Sequence, residues 1–265
     1  MTVAPTPSEA KVCCAAAYES EWARLLLGES FHPGGIDLTL HLGRQLRLGP
    51  GSRVLDVACG RGTSAIALAR EFGCSVVGVD LSAANTRLAC EAAQSAGVDH
   101  LASFVVGDAE ALSFPDASFD AVLCECAFCT FPSKEAAAAE FARVLRPGGR
   151  LGLSDITRQG ELPPELDTLL GWVACLADAR PAEEYVALLS CAGFAGLTWQ
   201  EHNDALASLA SRVRFKLLGA EVMARLGKGP FAIEEVLRAK QIARVATASI
   251  REGRLGYAII TGNRD

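Results

Sequence analysis

The chain of 265 residues contains no uninterrupted apolar run of about 18 or more residues, the length a membrane span needs. It also lacks a basic excess. Asp and Glu number 31 against 25 Lys and Arg, a formal charge of −6, so there is no broadly basic face for nucleic-acid phosphates. Histidine is scarce: His32, His41, His100 and His202 are the whole set, and no His pair completes a zinc finger. The start, "MTVAPTPSEAKVCC", lacks the basic-then-apolar layout of a secretion signal. These absences lead to the expectation of a cytoplasmic protein with neither a membrane nor a nucleic-acid partner. In a reducing compartment a disulfide framework is not expected. The ten cysteines are therefore the conspicuous excess. Their spacing fits no two-pair zinc ribbon, and the ordinary fate of a free cysteine is to pack as a small hydrophobe.

Half of the residues are hydrophobic, enough for one sizeable α/β domain with a cover. Residues 1–7 read as a disordered tip. Residues 8–28 read as an amphipathic helix with Trp22, Leu25 and Leu26 on its apolar side. "FHPGG" (31–35) breaks it, and a helix over about 36–47 ends at "GPGS". Strands are expected at 53–58, 75–80, 102–108, 118–125 and 150–156. Helices are expected between them at 64–72, 83–96 and 133–145, the last with a Ser cap. Residues 160–192 read as helical, 194–202 as a strand, 204–252 as about fifty helical residues and 254–262 as a final strand. This rhythm predicts an α/β fold: a Rossmann-like, doubly wound, mostly parallel sheet with an N-terminal helical cover and a C-terminal helical insertion. The expected division is a cover at 1–48, a ligand-binding core at 49–203, and an insertion with the last strand at 204–265.

"LDVACGRGTS" (55–64) lies where the first strand turns into a helix. Gly60 and Gly62 let the backbone curl and approach a ligand closely. In such sheets ligands bind beyond the carboxyl ends of the strands. Asp80 ends the next strand, 24 residues after Asp56, where an acid can accept from both hydroxyls of a ribose. The turn is not G-x-G-x-x-G, and Asp56 just before it would repel a pyrophosphate. The same acid suits a ligand with a cationic amino-acid end.

In order, "VLDVACGRG", "VVGVD", "GDAEALSFPDASFDAV" and "EFARVLRPGGRLGLSD" resemble the class I S-adenosylmethionine-dependent methyltransferases over about residues 50–157. The resemblance implies S-adenosylmethionine as cofactor. It places Asp56, Ala58, Gly60 and Gly62 against the amino-acid part of that molecule. Asp80, with Leu81 beside it, would hold the ribose, and Asp108 with Ala109 would flank the adenine. Ala58 stands where the family usually has glycine. Glu125 is expected near the sulfonium or ammonium.

The methyl acceptor should face the end of the fourth strand, in "CECAFCTF" (124–131). The Asn/Asp-Pro-Pro-aromatic motif of many nitrogen methyltransferases is absent there, as is a metal-binding carboxylate set. His32 is a candidate general base or a solvated loop residue. Thiolates prefer soft centres such as trivalent arsenic, whose lone pair can attack a sulfonium methyl without a base. Cys126, "LRPGGRLGLSDITRQGELPPEL" and Cys175, 49 residues after Cys126, resemble arsenite methyltransferases. That resemblance implies Cys126 and Cys175 as arsenic ligands, with glutathione or another thiol delivering the substrate. The family's further cysteine, before the glycine turn, has no counterpart in "FHPGG"; Cys129, Cys13 and Cys14 are the candidates to replace it. Cys124 and Cys126 are expected to share one face of an extended strand. Cys59, Cys74, Cys90 and Cys191 are expected to pack structurally. Two other readings stay open: a carbon or oxygen methyltransferase on a lipid or secondary metabolite, and a non-catalytic thiol sensor.

Overall fold

β-Branched and apolar runs between glycine and proline breaks form seven strands, and helices with one apolar stripe fill the intervals. The computed structural model describes Lys11, Tyr18, Glu19 and residues 32–166, 175–176, 178–228 and 231–265. The strands are β1 (Arg53–Val57), β2 (Ser75–Asp80), β3 (Ala102–Val106), β4 (Phe119–Glu125), β5 (Leu145–Arg158), β6 (Phe194–Glu201) and β7 (Leu255–Arg264). They make one sheet in the order β3-β2-β1-β4-β5-β7-β6. β1 to β5 pair in parallel, while β7 runs antiparallel to both β5 and β6. The order reverses at β1, whose neighbours are β2 and β4. The crevice at that reversal is where such sheets bind ligands.

The helices are α1 (Gly35–Gln45), α2 (Thr63–Phe72), α3 (Ala83–Ala96), α4 (Lys134–Val144), α5 (Ala182–Cys191), α6 (Asn203–Arg225) and α7 (Ile233–Arg251). Their ends follow local chemistry. Ser82 Oγ accepts the Asn85 amide at the start of α3, and Ser133 Oγ accepts the Ala136 amide at the start of α4. Gly73 and Gly97 close α2 and α3 in the left-handed conformation. α6 and α7 pack against each other and against β7. One helix leads the chain out and the next leads it back, so it re-enters the sheet from the edge it left. This is why β7 is antiparallel when single-helix crossovers give parallel neighbours.

The core is the sheet's two faces. Val54, Leu55, Val122, Leu123, Leu151 and Leu153 have no exposed surface. On α1, Leu42 and Leu46 reach the sheet over Gly152, where an added Cβ would stand 2.9 Å and 3.0 Å from their methyl groups. A side chain on β5 at this position would lift α1 off the sheet.

Two expectations need correction. Residues 160–192 are not one helical stretch. Among the described residues of this stretch, Gly160 is left-handed, a short 3-10 turn spans Pro164–Leu166, and a regular helix spans Ala182–Cys191. Pro163, Pro164 and Pro181 remove the amide donors a continuous helix would need. β5 begins at Leu145 and carries "RPGG" within it, five residues earlier than the pattern implies. Lys11, Tyr18 and Glu19 are helical, but the rest of the predicted 8–28 helix lies outside the described residues. Among the described residues no helix is long and apolar enough to cross a membrane.

Gly152→Val is expected to destabilise the protein by about 1–3 kcal/mol through overpacking under α1. Denaturant unfolding, read as a fall in midpoint at constant slope, checks this.

Candidate active site

β1 and β4 end side by side, each in a residue that leaves the extended conformation. Ala58 follows β1 at φ 56°, and Cys126 follows β4 at φ 53°. The left-handed region costs a non-glycine residue about 1 kcal/mol, which explains why glycine is the family's usual choice at position 58. The same geometry corrects the expectation for the cysteines. Alternation stops at Glu125, so Cys124 is sealed in the sheet with no exposed surface, while Cys126 turns away and lines the cavity.

The glycine turn and its acids meet as the spacing implies. Gly60 (φ 53°) and Gly62 (φ 76°) are both left-handed, and a Cβ on Gly62 would fall 2.6 Å from the Phe104 ring. Asp80 Oδ2 accepts the Gly60 amide at 2.8 Å, and its Oδ1 accepts the Ser82 amide at 2.9 Å. Burial still raises the Asp80 carboxyl above its ordinary range. Asp56, 2% exposed, is raised further, first by burial and then by the charges of Glu125 and Asp80. At the far end Asp108 Oδ2 accepts from Lys11 Nζ at 2.7 Å, and Lys11 also pairs with Glu110. Leu81, Asp108 and Ala109 line the same cavity as Asp56 and Gly60.

Glu125 sits at its floor. Its Oε2 accepts from Ser64 Oγ at 2.7 Å and Thr39 Oγ1 at 2.9 Å. His32 Nε2 lies 3.5 Å from the same oxygen. His32 is not a solvated loop residue. It is 6% exposed, its Nδ1 lies 3.1 Å from the Pro33 carbonyl, and its Nε2 faces Thr39 and Glu125. Its Nε2 thus faces the Glu125 carboxylate at the cavity wall. Among the described residues, three buried oxygens in this cavity have no partner: Asp56 Oδ2, Glu125 Oε1 and Asn85 Oδ1. Two carboxylate oxygens without donors at the bottom of a cleft fit a cationic group of a ligand.

Sulfur gathers at the end of β4. Cys126 precedes a 3-10 turn over Phe128–Thr130 that contains Cys129, and Cys175 approaches Cys126 from a distant part of the chain. Cys175 Sγ is 3.2 Å from the Tyr18 hydroxyl and 3.3 Å from the Cys126 carbonyl oxygen. The neighbouring Cys126, then Cys129, hold its thiol well below the ordinary range. Its two partners move the opposite way. Cys126 is raised chiefly by its bond to Cys175, and Cys129 chiefly by burial. Lys134, itself buried, donates to the Cys129 and Phe131 carbonyls and pairs with Asp178, bracing this turn. Among the described residues no group of three or more His, Cys, Asp or Glu is arranged to hold a metal ion.

Cys13 and Cys14 lie outside the described residues. Cys59 and Cys74 are buried, Cys59 against the bare Gly78. Cys90 and Cys191 are exposed, contrary to expectation. The buried stripe of α3 runs through Asn85, Thr86, Ala89 and Ala93, and Cys90 falls beside it; α5 buries Ala182, Tyr185 and Leu189 and leaves Cys191 outside. Lys11, Tyr18, Thr39, Ser64 and Asn85 entered no sequence motif. Ser64 alone had a local signal, two residues beyond Gly62 in the turn.

Asp155 lies under the thiol turn, accepting the Cys129 amide at 2.8 Å, and is 1% exposed. Burial, then the charge of Cys175, pushes its carboxyl up to about 7. The native state therefore holds this proton more tightly than the unfolded chain. The stabilisation is full below about pH 4 and lost as pH rises through about 7, roughly 4 kcal/mol if the shift is fully expressed. Asp155→Asn is expected to flatten the fall in unfolding free energy between about pH 4 and 8, measured by urea titration at each pH.

Residues 54–149 match the family described as "Methyltransferase domain". Methyltransferase GfsG of Streptomyces halstedii is 35% identical over 162 residues, 60% of this chain and 58% of that protein. The 2-methyl-6-phytyl-1,4-hydroquinone methyltransferase of Synechocystis sp. (strain ATCC 27184 / PCC 6803 / Kazusa) is 44% identical over 108 residues, 41% of this chain and 33% of that protein. The chain thus spans less than two thirds of the length of these curated relatives. The crystal structure of the cyclase SpnF shares the fold with a TM-score of 0.79 at 23% identity, over 100% of this chain and 98% of that one. Geranyl diphosphate methyltransferase in complex with S-adenosylmethionine does so with a TM-score of 0.70 at 20% identity, over 87% and 86%. With the strand order, the acid-lined glycine turn and this match in agreement, residues 54–149 form a class I S-adenosylmethionine-dependent methyltransferase domain.

Proposed function

We propose that the protein transfers the methyl group of S-adenosylmethionine to a small organic acceptor entering beside Tyr18, Cys126 and Phe131. The observation that carries this reading is the pair of partnerless carboxylate oxygens, Asp56 Oδ2 and Glu125 Oε1, at the floor of the cavity. They would hold the ammonium of the cofactor's amino-acid end. Gly60 and Gly62 let the backbone approach it, Asp80 would bind the ribose, and Leu81, Asp108 and Ala109 would enclose the adenine. The bound cofactor supplies an electrophilic methyl on a sulfonium. The chain's part is to orient that methyl toward the end of β4 and keep water from it. The relatives are named for organic acceptors, a hydroquinone among them. The cyclase among the fold neighbours shows that the fold alone does not assign methyl transfer, so the argument rests on the acids.

A second reading has its own support. Cys126 and Cys175 are in contact, with Cys129 beside them. Trivalent arsenic, delivered as a glutathione adduct, would be the substrate these thiols hold, with Cys13 or Cys14 as a further source of sulfur. The relatives' names supply nothing for this acceptor, and the organic reading is preferred.

Calorimetry is expected to show micromolar S-adenosylmethionine binding, weakened about tenfold or more by Asp80→Asn and by Glu125→Gln, roughly 1.4 kcal/mol each. Absence of binding at about 1 mM cofactor would overturn the reading. Labelled-methyl transfer to a panel of phenols and hydroquinones tests the acceptor. Methylated arsenic formed from arsenite and glutathione, and lost in Cys126→Ser, would favour the second reading instead.

A further inference from the structure

The C-x-x-C unit from Cys126 to Cys129 has no part in holding the cofactor's amino-acid end, yet its surroundings are unusual. Cys175 Sγ lies 3.3 Å from the Cys126 carbonyl oxygen and 3.2 Å from the Tyr18 hydroxyl. Two cysteines brought this close by the fold, 49 residues apart along the chain, are the starting arrangement for a disulfide. The backbone adds a second observation. Cys126 (φ 53°) and Cys175 (φ 62°) are both held in the left-handed region, a conformation that persists in non-glycine residues only where the surroundings enforce it. The two residues are also unequal in access. Cys126 is half-buried and lines the cofactor cavity, whereas Cys129 and Cys175 are 1% and 2% exposed. A small reagent entering through the cavity meets Cys126 first.

We propose that Cys126 and Cys175 are a peroxide-sensitive pair, joined as a disulfide when hydrogen peroxide or another small hydroperoxide enters through the cofactor cavity. Cys126 gives up its proton to water in the cavity, and its sulfur attacks one peroxide oxygen. The O–O bond breaks, Cys126 becomes a sulfenic acid, and the departing hydroxide takes up a proton and leaves as water. The Cys175 sulfur then attacks the sulfenic sulfur, the S–S bond forms, and the sulfenic hydroxyl leaves with the Cys175 proton as a second water. Two cysteine sulfurs are each oxidised by one electron, and one peroxide is reduced by two. A dithiol reductant reverses the bond. Its effect on turnover, closing the acceptor end of the cavity, rests on the methyl-transfer reading; formation of the bond does not.

The full chain, reduced and then exposed to hydrogen peroxide, is blocked with N-ethylmaleimide and mapped by peptide mass spectrometry. The expected product is a bridge between the peptides carrying Cys126 and Cys175, two hydrogens lighter, with the exposed Cys90 and Cys191 still alkylated. Dithiothreitol restores both thiols. Cys175→Ser should lose the bridge and leave Cys126 as a sulfenic acid trapped by dimedone, while Cys129→Ser keeps the bridge. Cofactor calorimetry confirms that each variant is folded. A chain in which Cys126 and Cys175 both remain alkylatable, or in which Cys126 bridges to Cys129, Cys13 or Cys14 instead, overturns the proposal. Bridge formation in a chain whose reduced form binds no cofactor would overturn the methyl-transfer reading alone.

Discussion

The buried carboxylate of Glu125 is the constraint around which the site is assembled. It stands at the end of β4, and its Oε2 collects hydroxyls from Thr39 on α1 and Ser64 on α2, with His32 behind them. Hydrogen bonds to a buried charge are worth more than neutral ones, about 1.5–3 kcal/mol each, and leaving the charge unmet costs several. The segment before the sheet is thereby tied to the catalytic edge of the sheet. Its other oxygen remains without a donor, and so does one oxygen of Asp56 beside it.

The backbone supports the same division. Where β1 and β4 end, both strands turn through the left-handed region, at Ala58 and at Cys126. The first turn brings amides of the glycine loop toward Asp80; the second swings a thiol out of the sheet and into the cavity wall. One cavity is thus lined both by the acids beside the glycine turn and by Cys126 and Phe131 beyond β4. Lys134 and Asp155 hold the thiol turn from beneath, one through carbonyls and the other through an amide.

Much of the fold was legible because it rests on local patterns. Short β-branched runs, a serine ahead of α4 and glycines after α2 and α3 all act within a few residues, and every expected strand is present, with β5 starting five residues early. Over 160–192, Pro163, Pro164 and Pro181 are the local signal against a continuous helix. Cys90 was misjudged because the stripe of α3 is narrow, and one residue beyond Ala89 is already outside. That Asp56, Asp80 and Asp108 line one cavity was legible because their positions follow strand ends. The partners of Glu125 were not. Thr39, Ser64 and His32 approach it from separate elements, and no spacing along the chain encodes that meeting.

The sequence by itself determined the alternating α/β order, the glycine turn and the series Asp56, Asp80, Asp108, since these depend on residue type and short-range periodicity. Only the tertiary structure decided which carboxylate oxygens remain unpaired, that His32 is buried against Glu125, and that Cys175 reaches Cys126. Whether a buried polar atom is satisfied depends on every element packed around it, so it is a property of the assembled fold. The meeting of thiols 49 residues apart is of the same kind: their spacing along the chain permits contact, and the packing beneath the end of β4 brings it about.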